Sequence, residues 1–176
     1  MRQLERLADR HQVDEFECGN ASLNRWLRES ARTADRKGVA RVYVWAESDG
    51  RVTAYAAIAP HVIERESVPR RLARGDPDQI PAVLVAKLAL DKGLHGRGLG
   101  SQLLIGVIGV IAEAADRAGG RYVVVDAADQ SAAAFYLRHG FRAGPDPARL
   151  VLRVADILAT FQRAGSPPST RHELDQ

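Results

Sequence analysis

Cysteine is almost absent: Cys18 stands alone among 176 residues. An internal disulfide and a cysteine-based zinc site are thereby excluded, no metal site is indicated, and a reducing cytoplasm is the expected setting. Also missing is any apolar run near the roughly 20 residues that a bilayer-spanning helix needs, so no membrane partner is expected. Met1-Arg2-Gln3-Leu4-Glu5 lacks the apolar core of a signal peptide. Two well-known phosphate loops, G-x-x-x-x-G-K-[ST] and G-x-G-x-x-G, are absent as well. There are no internal repeats. What remains has ordinary globular proportions, 45% hydrophobic and 27% charged residues, in a length suited to one domain with its own core. A net charge of +3 and a pI of about 9.3 permit a phosphate-bearing partner without demonstrating one.

The chain is organised around one stretch. Ala82 to Leu90 is a nearly unbroken apolar run between Pro81 and Asp91, which predicts a strand buried on both faces. It leads through His95-Gly96-Arg97-Gly98-Leu99-Gly100 into Ser101-Gln102-Leu103-Leu104-Ile105, where the apolar spacing turns helical. Strand, glycine-dense turn and helix N-terminus make an anion cradle. Main-chain N–H groups converge there, and the helix dipole adds its positive end. Glycine suits the turn because a phosphate must approach the backbone closely and left-handed φ angles are expected. A plain strand-to-helix turn is the competing explanation of the same glycines.

Toward the N-terminus, residues 2–7 are expected to form a short edge strand. Asn20 is a fitting N-cap for a helix to about Lys37, stopped by Gly38. Leu23, Leu27, Ala31 and Ala34 line one face of that helix, and Arg25, Arg28, Arg32 and Arg36 run at helical spacing along another. This arginine stripe is either a solvated face paired with Glu29 and Asp35 or a contact surface for a polyanion such as RNA. Arg41–Ala46 and Val52–Ile58 flank a hairpin turn at Ser48-Asp49-Gly50. Between Pro60 and Pro81 the pattern dissolves into a long connection carrying Arg65, Arg70, Arg71 and Arg74, a kind of segment that is usually functional. There follow a helix from about Leu99 to Ala118, a buried strand Arg121–Asp126, and a short helix Ser131–Arg138 capped by Asp129. A closing strand pair, Phe141–Ala143 and Arg149–Val154, and a helical segment to about Gln162 complete the chain. Residues 1–163 form a single expected domain, and 164–176, with Pro167-Pro168, serine and charge but no periodicity, an expected disordered tail. Strands interspersed with helices on a mixed sheet define an α/β or α+β domain.

These elements together resemble the GCN5-related N-acetyltransferases. His95, Gly98 and Gly100 match the family's pyrophosphate motif [QR]-x-x-G-x-[GA], with His95 in place of the usual Gln or Arg. Ala132-x-x-Phe135-Tyr136 and His139-Gly140-Phe141 are similar to its A-x-x-F-Y-x-x-x-G-F element, and the two motifs stand in the right order. The resemblance covers nearly the whole folded chain. It implies a mixed, mostly antiparallel sheet that splays at its central parallel strand pair, flanked by helices, with acetyl-CoA as donor. A narrower likeness joins Phe16-x-Cys18-Gly19-x-x-x-Leu23-x-x-Trp26-Leu27, Ile80-Pro81 and Leu88-Ala89-Leu90-Asp91 to the acetyltransferase toxins of bacterial toxin–antitoxin pairs. It implies acetylation of the α-amine of aminoacyl-tRNA, arrest of translation, a homodimer, and a ribbon-helix-helix antitoxin as partner. Ala54-Tyr55-Ala56-Ala57 and Lys87 depart from the toxin pattern (Gly-Tyr-Tyr and Arg) near the acceptor side, which leaves the acceptor open.

In such a fold the splay exposes main-chain groups of Leu88, Ala89 and Leu90, with which a pantetheine arm pairs like an added strand. The resemblance seats the pyrophosphate in the turn of His95, Gly96, Arg97, Gly98, Leu99, Gly100 and Ser101, chiefly on amides from Arg97 onward. Arg97 adds positive charge, and Lys92 either joins it or is a solvated surface lysine. Phe135 and Asp129 complete the cofactor contacts, although Asp129 already has a capping role. Tyr136 is the implied general acid. With a pKa of about 10 it keeps its proton at neutral pH and can give it to the departing sulfur. Outside the family pattern it reads as a core aromatic beside Phe135. No strong base is visible. An α-amine with a pKa near 8 is substantially neutral already, whereas a lysine at about 10.4 needs a base. Glu64, Glu66 and His61 are weak candidates for that role, and Cys18 reads as a packing residue. The tRNA candidates are Arg25, Arg28, Arg32 and Arg36 with Arg70, Arg71 and Arg74. Two other functions fit the same residues: acetylation of a small amine, peptide or protein N-terminus, and a non-catalytic acyl-CoA-binding regulatory module.

Overall fold

A computed structural model describes residues 2–165. The sequence-predicted disordered tail lies, from residue 166 on, outside the described residues. The elements in order are β1 (Glu5–Arg6), α1 (Ala21–Glu29), α2 (Ala31–Arg36), β2 (Arg41–Ala46), β3 (Val52–Glu64), β4 (Gln79–Leu90), α3 (Leu99–Ala118), β5 (Tyr122–Asp126), α4 (Gln130–Arg138), β6 (Arg142–Ala143), β7 (Arg149–Arg153) and α5 (Val154–Ala164). Single 3₁₀ turns, Arg65–Ser67 and Lys92–Leu94, sit in the connections on either side of β4. Seven strands form a mixed sheet in the order β1-β2-β3-β4-β5-β7-β6. The β1/β2, β2/β3, β5/β7 and β6/β7 pairs are antiparallel and β4/β5 is parallel, with α3 as the crossover.

The chain divides into two compact units. The first contains residues 2–58 and 87–110, the second 59–86 and 111–165. In the first, Val13, Phe16, Leu27, Ala31, Val42, Val44 and Tyr55 share one apolar core. Side chains as fully buried as Leu27 each contribute about 1.5–3 kcal/mol. Asn20 caps α1 as its sequence position predicts, its side chain accepting from the Leu23 amide at 3.1 Å. The expected single helix is instead two. Ser30 leaves helical geometry at φ −119°, so α2 restarts at Ala31 and ends before Gly38, whose φ of +71° stops it. The hairpin forms where expected, with Gly50 at φ +87°.

The second unit buries Ile63, Val68, Ala73, Ile80, Tyr122, Val124 and Val151 together. β3 runs on through Pro60 to Glu64, where the sequence pattern had dissolved. A proline forfeits one ladder donor and so masks a strand that continues past it. β4 likewise starts earlier than Pro81 and is not buried on both faces. Its exposed and buried residues largely alternate over Gln79–Ala82, and Ala86 is exposed. α3 has the expected bounds. As a helix of 20 residues with mean hydropathy 1.5 it is long and apolar enough to span a bilayer. However, Leu103, Leu104, Val107 and Ile111 are at most 1% exposed, so that apolarity is used in packing within the protein.

Candidate active site

In the first unit, β4 delivers Leu88, Ala89 and Leu90 to the glycine turn. The β4/β5 ladder pairs Ala82, Val83 and Leu84 with Tyr122, Val123 and Val124 and stops there, although β4 continues to Leu90. Beyond Leu84 the main chain of β4 therefore has no β5 partner, as a splayed pair requires. Asp91 then organises the turn, accepting from the Gly93 amide at 2.9 Å and the Glu17 amide at 3.2 Å. The Lys92 amide returns a bond to the Glu17 carbonyl at 2.8 Å. The Glu17 carboxylate accepts from Nδ2 of the buried Asn24 at 2.8 Å and from the Gly19 amide at 2.6 Å. Those bonds, Asn24's first, hold its pKa below the ordinary value. Asn24 Oδ1 also accepts from the Cys18 amide at 2.9 Å. The Cys18-Gly19 turn, the start of α1 and the end of β4 are thus knotted together by three polar side chains.

His95 Nε2 lies 2.7 Å from the Leu90 carbonyl, so the ring donates and Nε2 carries the proton. Gly96 and Gly98 adopt φ of +74° and +70°, and no atom lies within 4 Å of a Cβ built on either. Glycine is demanded here by conformation, and the space beside the turn is open. Gly100 instead belongs to the first turn of α3. The amides of Leu99, Gly100 and Ser101 fall in that turn, where no intrahelical acceptor exists. Together with the turn they offer a row of main-chain donors at the positive end of a helix dipole, which fits a diphosphate. Arg97 and Lys92 are exposed there.

In the second unit, Asp129 caps α4 by accepting from the Ala132 amide at 2.8 Å. Phe135 meets Tyr136 edge-on at 5.2 Å between ring centres and His139 at 4.6 Å, and Tyr136 meets Phe141 edge-on at 5.4 Å. Gly140, at φ +88°, turns the chain so that the Phe141 amide reaches the Tyr136 carbonyl at 3.2 Å. Burial raises the pKa of Tyr136, so its hydroxyl stays protonated well past neutral pH. Two of the four tyrosines use their hydroxyls structurally. The Arg6 guanidinium lies over the Tyr43 ring, 5.7 Å from its centre. Tyr55 donates to the Leu23 carbonyl at 2.8 Å, and Tyr122 to Asp76 at 2.7 Å. Tyr136 has no hydrogen-bond partner among the described residues, and its oxygen is not among the sealed, unpaired polar atoms. A half-buried ring with a free, reachable hydroxyl suits a proton donor.

The arginines separate into two groups. Arg28 donates to the Phe16 carbonyl at 3.2 Å and Arg32 to the His11 carbonyl, fastening the N-terminal segment to α1 and α2. Asp35, expected to pair with the stripe, is instead taken by Arg6 and Arg41 and accepts from the Val42 amide. Arg25 and Arg36 remain exposed on this face. Arg70, Arg71 and Arg74 are exposed on the β3–β4 connection of the second unit. Of the weak base candidates, Glu64 and Glu66 are exposed, and His61 keeps Nε2 buried without a partner. Burial raises the Cys18 thiol pKa, in keeping with a packing role. Sequence reasoning missed Glu17, Asn24 and Asp91 as the residues that fix the turn. The signal available was the same narrow motif, in which Cys18-Gly19 and Asp91 both occur.

Residues 40–143 match the family model of the acetyltransferase (GNAT) domain. The chain is 37% identical over 155 residues to the tRNA-acetylating toxin of Mycobacterium tuberculosis, across 88% of this chain and 93% of that protein. It is similar to the structure of AtaT complexed with acetyl-methionyl-tRNAfMet, with a TM-score of 0.83, 25% identity, and coverage of 90% of this chain and 98% of that one. It is also similar to AtaTR bound with AcCoA, with a TM-score of 0.76, 25% identity, and coverage of 90% and 97% respectively.

Proposed function

The chain belongs to the GNAT acetyltransferase family, and on that premise we propose that it acetylates the α-amine of aminoacyl-tRNA as the toxin of a toxin–antitoxin pair. The donor is acetyl-CoA, as the AcCoA-bound relative supports. The names of the tRNA-acetylating and tRNA-bound relatives support the acceptor. One observation carries the chemistry: Tyr136, which stands in the A-x-x-F-Y element, has a hydroxyl with no hydrogen-bond partner among the described residues, free to give up its proton.

Amides from Arg97 to Ser101 hold the diphosphate, with Arg97 and Lys92 adding charge. The open main chain of Leu88, Ala89 and Leu90 aligns the pantetheine arm, and His95 occupies one lone pair of the Leu90 carbonyl. Phe135 and Asp129 border the cofactor from α4. When bound, acetyl-CoA supplies an acetyl group already activated as a thioester. Tyr136 would supply, from its hydroxyl, the proton that a departing thiolate needs, while an acceptor amine would supply the lone pair for the new C–N bond. An α-amine near pKa 8 needs no side-chain base, and its surplus proton goes to water. Arg25, Arg28, Arg32, Arg36, Arg70, Arg71 and Arg74 are the tRNA-facing charges in this reading. A homodimer, a ribbon-helix-helix antitoxin and a cytoplasmic setting belong to the same reading.

Labelled acetyl-CoA mixed with charged tRNA and the protein tests the proposal. Label is expected on the aminoacyl end, with a rate that falls steeply as salt rises because phosphate contacts release counterions. Salt-insensitive labelling of free amino-acid amides, with tRNA left unlabelled, would reassign the acceptor to small amines or peptides.

A further inference from the structure

The second unit contains a cavity of about 750 Å³ between the β3–β4 connection and the β6–β7 turn. Val68, Pro69 and Pro145 line it with apolar groups, and Arg65, Arg70 and Arg74, with Glu66, line it with charged ones. It plays no part in the transfer chemistry described above.

Its walls are fixed. Asp76, 6% exposed, accepts from the Tyr122 hydroxyl at 2.7 Å and from Arg121 Nε at 2.8 Å. The same hydroxyl lies 3.0 Å from the Leu72 carbonyl, and its bond to Asp76 ties the end of the arginine segment to β5. Val68 and Ala73 enter the core of the unit. Across the cavity, a Cβ added to Gly144 would stand 2.0 Å from the Ser67 carbonyl oxygen, so the two walls already touch at that point. A segment pinned this way loses little freedom when a ligand binds.

Its charge is unbalanced. Residues 65–75 contain four arginines and one glutamate. Arg65 is satisfied by Asp78 at 2.8 Å and the Asp76 carbonyl at 3.0 Å. Arg70 and Arg74 have no ion-pair partner among the described residues. Two unmatched guanidinium groups above proline and aliphatic walls suit a ligand that alternates anionic groups with flat apolar ones. Unpaired nucleotides have that chemistry: phosphates for the arginines, and bases to lie on apolar and guanidinium surfaces. An acidic peptide would match the arginines and leave the apolar walls unused.

We infer that this cavity holds unpaired nucleotides of the tRNA acceptor, with Arg70 and Arg74 on their phosphates. The inference rests on the proposed function, and the two can fail separately. Filter binding of uncharged tRNA and of the trinucleotide CpCpA, with no acetylation required, compares the parent, the double variant Arg70→Ala/Arg74→Ala and the exposed-charge control Arg117→Ala. The double variant should bind tRNA about tenfold or more weakly, with a log–log salt slope shallower by about 1.4, roughly 0.7 for each single-strand phosphate that an arginine no longer neutralises. Its thermal melt and its coenzyme A affinity should match the parent, which shows that the fold is intact. Binding and slope equal to those of Arg117→Ala would overturn the inference, as would selective loss of affinity for a polyglutamate probe. If the parent labels tRNA yet the double variant binds it normally, the inference fails and the function stands. If the parent labels only free amines while CpCpA binding still depends on Arg70 and Arg74, the function fails and the cavity assignment stands.

Discussion

The glycine turn of the first unit and the aromatic helix of the second carry chemistry in opposite ways. In the turn, the binding groups of the proposed function are main-chain amides. The side chains serve to bend and fix the backbone, as His95 does on the Leu90 carbonyl and Asp91 on the Gly93 amide. In α4 the backbone is an ordinary capped helix, and the proposed chemistry depends on one hydroxyl on a half-buried ring. A main-chain site tolerates side-chain change as long as the conformation survives. A side-chain site tolerates none, however well the fold survives.

The largest expected effect is therefore at Tyr136. Tyr136→Phe should lower kcat by roughly a hundred- to ten-thousand-fold while calorimetry finds coenzyme A binding unchanged. The protonated phenol is the active form and burial raises its pKa. The parent should accordingly show no falling alkaline limb in kcat below about pH 10. At the turn, Gly98→Ala forces a side chain into φ +70° at a cost of about 1–2 kcal/mol. It should weaken coenzyme A binding about tenfold and leave kcat at saturating donor unchanged, the reverse of the Tyr136 signature.

Tyr122→Phe removes the same atom from a tyrosine whose hydroxyl is structural. Its loss should cost about 1–2 kcal/mol of stability, read as a lower Tm with kcat unchanged. Burial, then Asp76, pushes the Tyr122 pKa up to about 12 from 10.0. The stability this contributes is complete below pH 10 and is lost as pH rises toward 12, so thermal melts in that window should fall more steeply for the parent than for Tyr122→Phe. The smallest effect belongs to His95. His95→Ala forfeits one hydrogen bond worth about 1 kcal/mol and should shift coenzyme A affinity by roughly fivefold. His95→Gln, which can still donate to the Leu90 carbonyl, should restore it.

Local chemistry was legible in the sequence. The Asn20 and Asp129 caps, the Gly50 hairpin and both ends of α3 follow from rules that act over a few residues. The glycine turn was legible for the same reason, down to left-handed φ at Gly96 and Gly98. Bonds between distant residues were not. Glu17 with Asp91, and Asp76 with Tyr122, join positions 74 and 46 residues apart, and no periodicity announces them. The arginine stripe was misjudged in its pairing: Asp35 lies close in sequence to Arg32 and Arg36 but was captured by Arg6 and Arg41. β3 was cut short because Pro60 interrupts the pattern without interrupting the strand.

Transfer of label from acetyl-CoA to the aminoacyl end of charged tRNA, run side by side with the parent protein and with Tyr136→Phe at saturating donor, is the most direct measurement. Label on the tRNA with the parent, and almost none with a Tyr136→Phe variant that still binds coenzyme A, is the expected result. Equal labelling by both proteins, or none on any tRNA from a parent that binds the donor, would contradict it.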